Sequence, residues 1–347
     1  MKALVWNAAE KMDWEDRERP IPLVNEVLVR VEVVGICGSE IEGYLGHNSL
    51  RIPPLIMGHE FCGIVEQVGN EENKGLIGKK IVVNPLLSCG NCASCWKGMP
   101  QLCKSRRIIG IHKPGAFAEW TNVPVETAVV VPEAMSSFRA ALAEPLACSL
   151  RATRRAMERH TFANVVVFGA GGIGLLCAKI AALLGASKVM IVDTNEERLK
   201  MSRSVGIEET ANAREDNLEE RTKQVFGSKG IDVVIDAAGF QSTRDTAMKL
   251  INPGGTFMNI GLGIDETVLP INHLTRSEIE ILGSFCYTRE DFQDAVDLLT
   301  TGKITEEGWT EIRPLAEGDQ AFADLVAGKV TKGKILLTSQ LSVDSLH

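Results

Sequence analysis

The chain has 347 residues, 45% of them hydrophobic and 24% charged, which is enough for two domains that each bury a core. Its formal net charge of -8 gives a nucleic-acid backbone little to bind. The first twenty residues contain neither a basic lead nor an apolar run of signal-peptide length, and residues 165–185 read as a buried strand, a glycine turn and a helix rather than a membrane span. We therefore expect a cytoplasmic protein without a nucleic-acid or membrane partner.

The first clear strand prediction covers residues 27–33, where valines alternate with other side chains. This strand delivers Cys37 to a glycine-flanked turn, and His59 and Glu60 later stand between Gly58 and an apolar run. A thiolate, an imidazole and a carboxylate can hold zinc while a fourth position stays open for water or substrate. Taken singly, each residue also fits ordinary core packing or a strand entry.

A cysteine-rich lobe follows at residues 88–104, with the spacing C-x2-C-x2-C-x7-C and almost no apolar side chains. Four thiolates turned onto one ion form the closed tetrahedral site of structural zinc. The nine cysteines of the chain are an odd number, which in a cytoplasmic protein favours metal binding over a disulfide framework. The rival is an iron–sulfur cluster, but its bacterial pattern continues with three residues and Cys-Pro instead of seven residues. We predict structural zinc on Cys89, Cys92, Cys95 and Cys103.

The second half opens with an apolar run at 165–168, the glycine turn GAGGIG at 169–174 and a helix that ends near residue 185. A second strand over 187–193 ends in Asp193, and a helix follows with Thr194 and Glu197 as its predicted capping box. This order is typical of a dinucleotide-binding unit. Further strands at 230–239, 254–262 and 279–285 alternate with helices, which predicts a doubly wound parallel sheet.

The glycine turn would bring backbone against a pyrophosphate at a helix N-terminus, and the carboxylate of Asp193 would accept hydrogen bonds from the adenosine ribose. A carboxylate there repels a ribose phosphate, so NAD is favoured over NADP. Arg198 lies one helical turn on and is the residue most able to change this preference, although we expect it on a solvated helix surface. The predicted cofactor-binding residues are Gly169, Gly171, Gly172, Ile173, Gly174, Asp193 and Arg198.

Five motifs together resemble the zinc-dependent medium-chain dehydrogenase/reductase family in its polyol dehydrogenase branch. They are GICGSE, GHE, the cysteine lobe, EPLA at 144–147 and GAGGIG, and the similarity runs from about Ala3 to about Thr338. The resemblance implies an α/β protein with a GroES-like, β-rich catalytic domain over residues 1–150 and a Rossmann domain over 151–286. It also implies that residues 287–347 return to the catalytic domain, and that the protein is a homodimer or homotetramer.

The resemblance further implies a catalytic zinc on Cys37, His59 and Glu144, with Glu60 close to the metal and exchanging with water. Adjacent side chains on an extended segment point to opposite faces, so we do not expect His59 and Glu60 to be equally good ligands at one moment. Ser39 matches the hydroxyl of the family's proton relay.

The chain departs from its relatives at the relay histidine, where it has Glu42, so the proton exit is open between Glu42 and His47. Glu42, Tyr44, His47 and His112 are also candidates to line the substrate pocket, which would select a hydroxyl-rich or cationic substrate.

The function that follows is hydride transfer from a secondary alcohol of a polyol, sugar acid or sugar phosphate to NAD, with two zinc ions per subunit. The nearest alternative is an amino-alcohol dehydrogenase of the threonine type. Two readings from other classes are a zinc-ribbon binding module and a sensor that binds NAD without turnover. The negative net charge disfavours the zinc-ribbon module, and an open metal site disfavours the sensor.

Overall fold

The structure is a computed structural model that describes residues 1–339, so the end of the predicted third segment, 340–347, lies outside the described residues. The described part forms seventeen strands and eleven helices. The strands are β1 Lys2–Ala8, β2 Lys11–Asp16, β3 Glu26–Gly35, β4 Glu60–Val68, β5 Lys80–Val83, β6 Leu86–Leu87, β7 Arg107–Ile108, β8 Trp120–Pro124, β9 Ala128–Val130, β10 Asn164–Phe168, β11 Lys188–Asp193, β12 Glu209–Asn212, β13 Ile231–Asp236, β14 Ile251–Asn259, β15 Glu280–Gly283, β16 Thr310–Pro314 and β17 Lys334–Thr338. The helices are α1 Gly38–Tyr44, α2 Ala93–Trp96, α3 Ser137–Ala140, α4 Ala143–Met157, α5 Gly172–Leu183, α6 Glu196–Ser204, α7 Leu218–Phe226, α8 Gln241–Leu250, α9 Ile271–Ser277, α10 Arg289–Thr300 and α11 Gly318–Val326.

A seven-stranded sheet, called the catalytic sheet below, combines five strands of the first half of the chain with the last two strands, in the order β16-β17-β3-β4-β5-β9 with β8 also paired to β3. Valines of β3 pack with Phe61 and with Ile335 and Leu337 of β17 into one buried cluster. Strands β3 and β4 are antiparallel, and their register sets Gly35 opposite Glu60. This pairing brings the end of β3 and the start of β4 together, which is where the predicted metal ligands lie.

A six-stranded parallel sheet holds the second half, in the order β12-β11-β10-β13-β14-β15. Numbered along the chain within this domain, the order is 3-2-1-4-5-6, the arrangement of dinucleotide-binding sheets. Helices α4, α5 and α10 cover one face and α7, α8 and α9 the other, each through buried apolar side chains. The predicted doubly wound sheet is confirmed, and its strand order reverses between β10 and β13, where such folds bind their ligands.

Some elements differ from the prediction. Helix α6 begins with Asn195 as its N-cap instead of Thr194, because the Asn195 side chain accepts hydrogen bonds from the backbone of Glu197 and Arg198. Strand β12 and the β1–β2 hairpin were not predicted, since short edge strands carry little alternation. Helix α4 runs through residue 150, where we placed a domain boundary, and we keep the three-segment division as a proposal.

The last strands, β16 and β17, join the catalytic sheet, whereas α10 packs against α4. Within the described residues, no helix is both long and apolar enough to cross a membrane.

Candidate active site

Three of the predicted metal ligands converge at the junction of β3 and β4. The ligand atoms of Cys37, His59 and Glu60 all lie within 4.8 Å of one another, and His59 and Glu60 are buried. Gly58 makes this possible: its φ of +100° turns the chain before β4, and a Cβ there would stand 2.7 Å from the backbone nitrogen of Phe117. Because His59 lies on this turn instead of the strand, its side chain and that of Glu60 converge, contrary to our expectation of opposite faces.

Glu40 holds His59 and the backbone of Cys37 in place through hydrogen bonds, and the sequence analysis did not predict this role. Its buried carboxylate accepts hydrogen bonds from His59 Nδ1 at 2.8 Å, from the Gly58 backbone nitrogen at 2.8 Å and from the Cys37 backbone nitrogen at 3.0 Å. Because Nδ1 is used in this bond, Nε2 of His59 remains for a metal. A metal-binding histidine usually makes such a hydrogen bond through its other ring nitrogen. Burial lowers the pKa of His59, but Glu40 and Cys37 raise it more, so the net pKa lies well above the usual value.

Glu144, which was predicted as a zinc ligand, lies outside the group formed by Cys37, His59 and Glu60. It lies in the first turn of α4, and its carboxylate is 3.7 Å from the Cys148 thiol. Burial raises its pKa to about 7; His59 opposes this shift, and Glu60 adds to it. The carboxylate of Glu60 forms an ion pair with Lys334 of β17, which the sequence reading also missed. The structure therefore favours Glu60 over Glu144 as the nearer carboxylate.

The donor set fits zinc. A thiolate, an imidazole nitrogen with its partner nitrogen already hydrogen-bonded, and a carboxylate are the ligand types of catalytic zinc sites, and three protein ligands leave a position open. Cys37 would hold the ion from the N-terminus of α1, and His59 and Glu60 would hold it from the start of β4.

The four lobe cysteines form a second group whose ligand atoms lie within 4.8 Å of one another. The Sγ atoms of Cys92 and Cys95 are 3.5 Å apart, as are those of Cys89 and Cys103. Four thiolates about 2.3 Å from one ion would be roughly 3.8 Å apart, whereas several irons between them would hold them further apart. Hydrogen bonds from the backbone and thiol of Cys95 lower the pKa of Cys92 to about 6. The lobe fits a single zinc ion.

The glycine turn after β10 has the shape that a pyrophosphate needs. Gly169 has a φ of +101° and Gly171 is the N-cap of α5. A Cβ on Gly174 would lie 1.8 Å from the carbonyl oxygen of Gly169, and one on Gly172 would lie 2.9 Å from the carbonyl oxygen of Gly333. Ile173 is half-buried against the core that the helices α4 and α5 share. Gly171 and Gly172 are only partly buried, so a ligand can approach the backbone at the N-terminus of a twelve-residue helix.

Asp193 lies at the end of β11 beside this turn. Its carboxylate accepts hydrogen bonds from the backbone nitrogens of Ala170 at 2.6 Å and Asn195 at 2.8 Å. Arg198 is half-buried and donates to the carbonyl of Val330 at 3.3 Å, so the expected solvated position is wrong. This contact joins α6 to the segment that precedes β17.

The predicted pocket residues separate into different environments. Tyr44 is buried, donates to the carbonyl of Glu10 and stacks on Phe322, so it belongs to the core. Glu42 and His47 form an exposed pair with a nitrogen-to-oxygen distance of 3.3 Å. Ser39 Oγ lies 3.4 Å from Cys37 Sγ, at the candidate metal site.

Comparisons with known proteins agree with this geometry. Residues 24–133 match the alcohol dehydrogenase GroES-like domain, and residues 172–301 match the zinc-binding dehydrogenase domain. D-xylulose reductase A of Aspergillus oryzae is 31% identical over 343 residues, covering 95% of this chain and 94% of the relative. The chain belongs to the zinc-dependent medium-chain dehydrogenase/reductase family.

Solved structures extend the match to the whole fold. Galactitol-1-phosphate dehydrogenase of Escherichia coli has a TM-score of 0.88 at 27% identity, covering 97% of this chain and 100% of that one. An alcohol dehydrogenase of Escherichia coli CFT073 with bound NADH also has a TM-score of 0.88, at 29% identity, covering 97% of this chain and 99% of that one. The predicted family, fold class and enzyme class are confirmed: this dehydrogenase uses zinc and a nicotinamide cofactor.

Proposed function

We propose that this dehydrogenase oxidises a secondary alcohol of a polyol, sugar acid or sugar phosphate with NAD, using two zinc ions per subunit. The observation that carries the proposal is the convergence of Cys37, His59 and Glu60, which is linked to the glycine turn through the consecutive residues Gly333 and Lys334. The catalytic zinc would be held by these three residues, with Glu144, which interacts electrostatically with His59 and Glu60, as the alternative carboxylate ligand. The structural zinc would be held by the four lobe cysteines.

When bound, zinc polarises the alcohol oxygen and the nicotinamide accepts the hydride. The protein supplies the rest. Glu40 orients His59 through its 2.8 Å hydrogen bond, and Lys334 balances the charge of Glu60. Ser39 Oγ, next to Cys37, is placed to relay the hydroxyl proton of the substrate, accepting that proton while its own hydroxyl proton passes on towards solvent. The exposed Glu42–His47 pair is the route that we propose for passing this proton to solvent.

The choice of NAD is supported by Asp193, whose carboxylate lies against the glycine turn at Ala170. A ribose phosphate would meet this negative charge, and the guanidinium of Arg198 is engaged with Val330. We expect kcat/KM for NAD to exceed that for NADP by at least about tenfold. Asp193→Asn should reduce the preference, which initial rates with both cofactors measure. A native preference for NADP would contradict this part of the proposal.

The substrate class rests on the relatives, whose names include a D-xylulose reductase and a galactitol-1-phosphate dehydrogenase. The test is a screen of polyols, sugar acids, sugar phosphates and threonine for NADH formation. Activity on threonine alone would favour the amino-alcohol alternative.

The screen is run with native protein, Cys37→Ser and a matched control, Cys177→Ser. Cys177 is buried in α5, where its thiol lies 3.9 Å from the carbonyl of Ser149, a contact that a serine hydroxyl can replace. We expect Cys37→Ser to lose activity and one equivalent of zinc, while the control keeps both. A fully active Cys37→Ser enzyme would overturn the site assignment, and native protein that binds NADH but oxidises nothing would favour the sensor reading.

We also propose a homodimer or homotetramer in the cytoplasm. Strand β15 is an edge of the parallel sheet and exposes Ile281, and Leu262 and Val268 nearby in the sequence are exposed apolar residues. Unpaired edges with apolar side chains are sites of strand pairing between subunits. Light scattering after gel filtration should give a dimer or tetramer mass, and Ile281→Lys should lower it. None of the nine cysteines, all of which lie in the described part of the chain, forms a disulfide, which suits a reducing compartment.

A further inference from the structure

Arg51 is a buried cation at the candidate active site. Its side chain is 3% exposed and packs over α1, where a Cβ on Gly43 would lie 2.5 Å from Arg51 Cδ. Its Nη2 donates to Ser39 Oγ at 3.2 Å, and the same hydroxyl contacts Cys37 Sγ. The guanidinium is therefore one hydroxyl group away from the sulfur ligand of the candidate zinc site.

Most of the hydrogen-bonding capacity of Arg51 is unused. Within the described residues, Nε and Nη1 are buried and have no hydrogen-bond partner. A guanidinium carries five N–H donors and stays charged in proteins, so an unpaired one in the interior is costly. Burial lowers the pKa of Arg51, and the charges of Glu40 and Cys37 only partly offset this.

Neither of these negative groups forms an ion pair with Arg51 among the ion pairs of the described residues. The carboxylate of Glu40 already accepts from His59, Gly58 and Cys37. The thiolate of Cys37 would be neutralised by the metal that it binds. A bound zinc ion thus leaves the guanidinium with less compensation, and its remaining donors are suited to an anion from outside the chain.

His112 is a second hydrogen-bond donor, and its imidazole interacts electrostatically with Arg51. Its Nδ1 accepts from the backbone nitrogen of Ile108 at 3.0 Å, so a neutral imidazole carries its proton on Nε2. Burial lowers the pKa of His112, and the charges of Arg107, Arg106 and Arg51 lower it further. Three arginines thus make the surroundings of His112 electropositive, which does not suit the cationic substrate considered from the sequence.

We propose that the substrate carries an anionic group, a carboxylate or a phosphate, and that Arg51 binds it. The inference rests on the proposed function and names the substrate class for the same site. Because Ser39 contacts both Arg51 and Cys37, the anion lies within a few carbon atoms of the hydroxyl that is oxidised. Arg51 is thus a specificity residue that distinguishes sugar acids or sugar phosphates from neutral polyols.

The test compares neutral polyols with derivatives that carry a carboxylate or a phosphate at one end. D-glucitol, D-gluconate and D-glucitol 6-phosphate form one matched set, and galactitol, D-galactonate and galactitol 1-phosphate form another. Initial rates with NAD are measured for native enzyme, Arg51→Gln and Arg51→Lys. The control is Arg17→Gln, an exposed arginine paired with Glu15 far along the chain from the site.

We expect an anionic member to exceed its neutral polyol in kcat/KM by about 10- to 100-fold, the effect of one charged hydrogen bond in a buried site. Arg51→Gln should remove that advantage mainly through KM, so that kcat/KM falls about 10- to 100-fold further on the anionic member than on the neutral polyol, and Arg51→Lys should keep part of it. The acid and phosphate arms show which anion is bound. If Arg51→Gln does not fold, inhibition of the native enzyme decides: D-gluconate or D-glucitol 6-phosphate should compete better than D-glucitol.

A native enzyme that prefers neutral polyols, or an Arg51→Gln enzyme that loses activity equally on neutral and anionic members, would overturn the inference. Both outcomes leave the proposed dehydrogenase function standing. Failure to form NADH from any probe would instead overturn the proposed function, and the inference with it.

Discussion

Replacing Glu40 by glutamine tests whether the carboxylate beneath His59 prepares the metal site. The buried carboxylate accepts three hydrogen bonds, with Oε1 facing Gly58 and His59 and Oε2 facing Cys37. Glutamine has the same shape but presents one oxygen and one NH2 group. In either orientation, the NH2 group faces at least one N–H donor, so a donor is left without an acceptor.

The expected cost follows from this clash. A buried donor without an acceptor costs about 1–3 kcal/mol. Loss of a second contact behind a metal-binding histidine reduces metal affinity by about 10- to 100-fold, and each factor of ten is about 1.4 kcal/mol. The first cost lowers the stability of the protein, and the second sets the metal affinity, so we expect Glu40→Gln to bind the zinc that depends on Cys37 about 10- to 100-fold more weakly. The cysteine lobe should keep its ion.

The assay is a chelator competition in which zinc release is followed together with NAD-dependent activity. The control is Glu32→Gln, a buried glutamate of β3 whose carboxylate accepts from the Ser137 hydroxyl at 2.6 Å, a bond that an amide oxygen can also accept. If Glu40→Gln releases zinc at the same chelator concentration as the native and control proteins, Glu40 does not prepare the site and the reasoning fails.

Three further predictions concern other parts of the molecule. Gly174→Ala should raise the NADH dissociation constant at least about tenfold, because its Cβ would lie 1.8 Å from the Gly169 carbonyl; fluorescence titration measures this, and Gly75→Ala, with open space around it, should behave as native. Cys95→Ser should lose one of two zinc equivalents by elemental analysis and keep the other. Burial opposes ionisation of Asp291, but its hydrogen bonds and its ion pair hold its pKa below 3.8. The ionised carboxylate therefore stabilises the fold fully above that pH, and this stabilisation is lost as the pH falls. Asp291→Asn should lower the free energy of unfolding by about 1–2 kcal/mol at pH 7, and thermal unfolding should show that this loss shrinks below about pH 4.

Local patterns predicted the parts of this protein that are built from neighbouring residues. The cysteine spacing placed four thiols of one loop within 4.8 Å, and the apolar run before GAGGIG placed the glycine turn at the end of β10. Both depend on chain geometry over fewer than twenty residues. The alternation in residues 27–33 similarly identified β3, although the strand extends from Glu26 to Gly35.

Partners that meet across long sequence separations were not predictable in this way. Glu40 and His59 are 19 residues apart, and the ion pair of Glu60 with Lys334 depends on β17 returning to pair with β3. A glutamate three residues after a cysteine at a helix start is a weak signal, since it also describes an ordinary first-turn acid. Arg51 carries no signal beyond a lone charge between apolar residues, because its burial follows from the loop before β4.

The returning strand β17 explains how the two halves of the site are held in one geometry. Gly333 closely approaches the glycine turn, where its carbonyl oxygen would stand 2.9 Å from a Cβ on Gly172. The next residue, Lys334, contacts the metal-ligand candidate Glu60 and donates to the carbonyl of Ile36 at 3.1 Å. Two consecutive residues therefore touch the cofactor turn and the metal group. Because Lys334 and Glu60 lie in the same sheet, the approach of Gly333 to Gly172 sets the glycine turn against the strand whose next residue contacts a candidate zinc ligand, which ties the position of the nicotinamide cofactor to that of the zinc ligands.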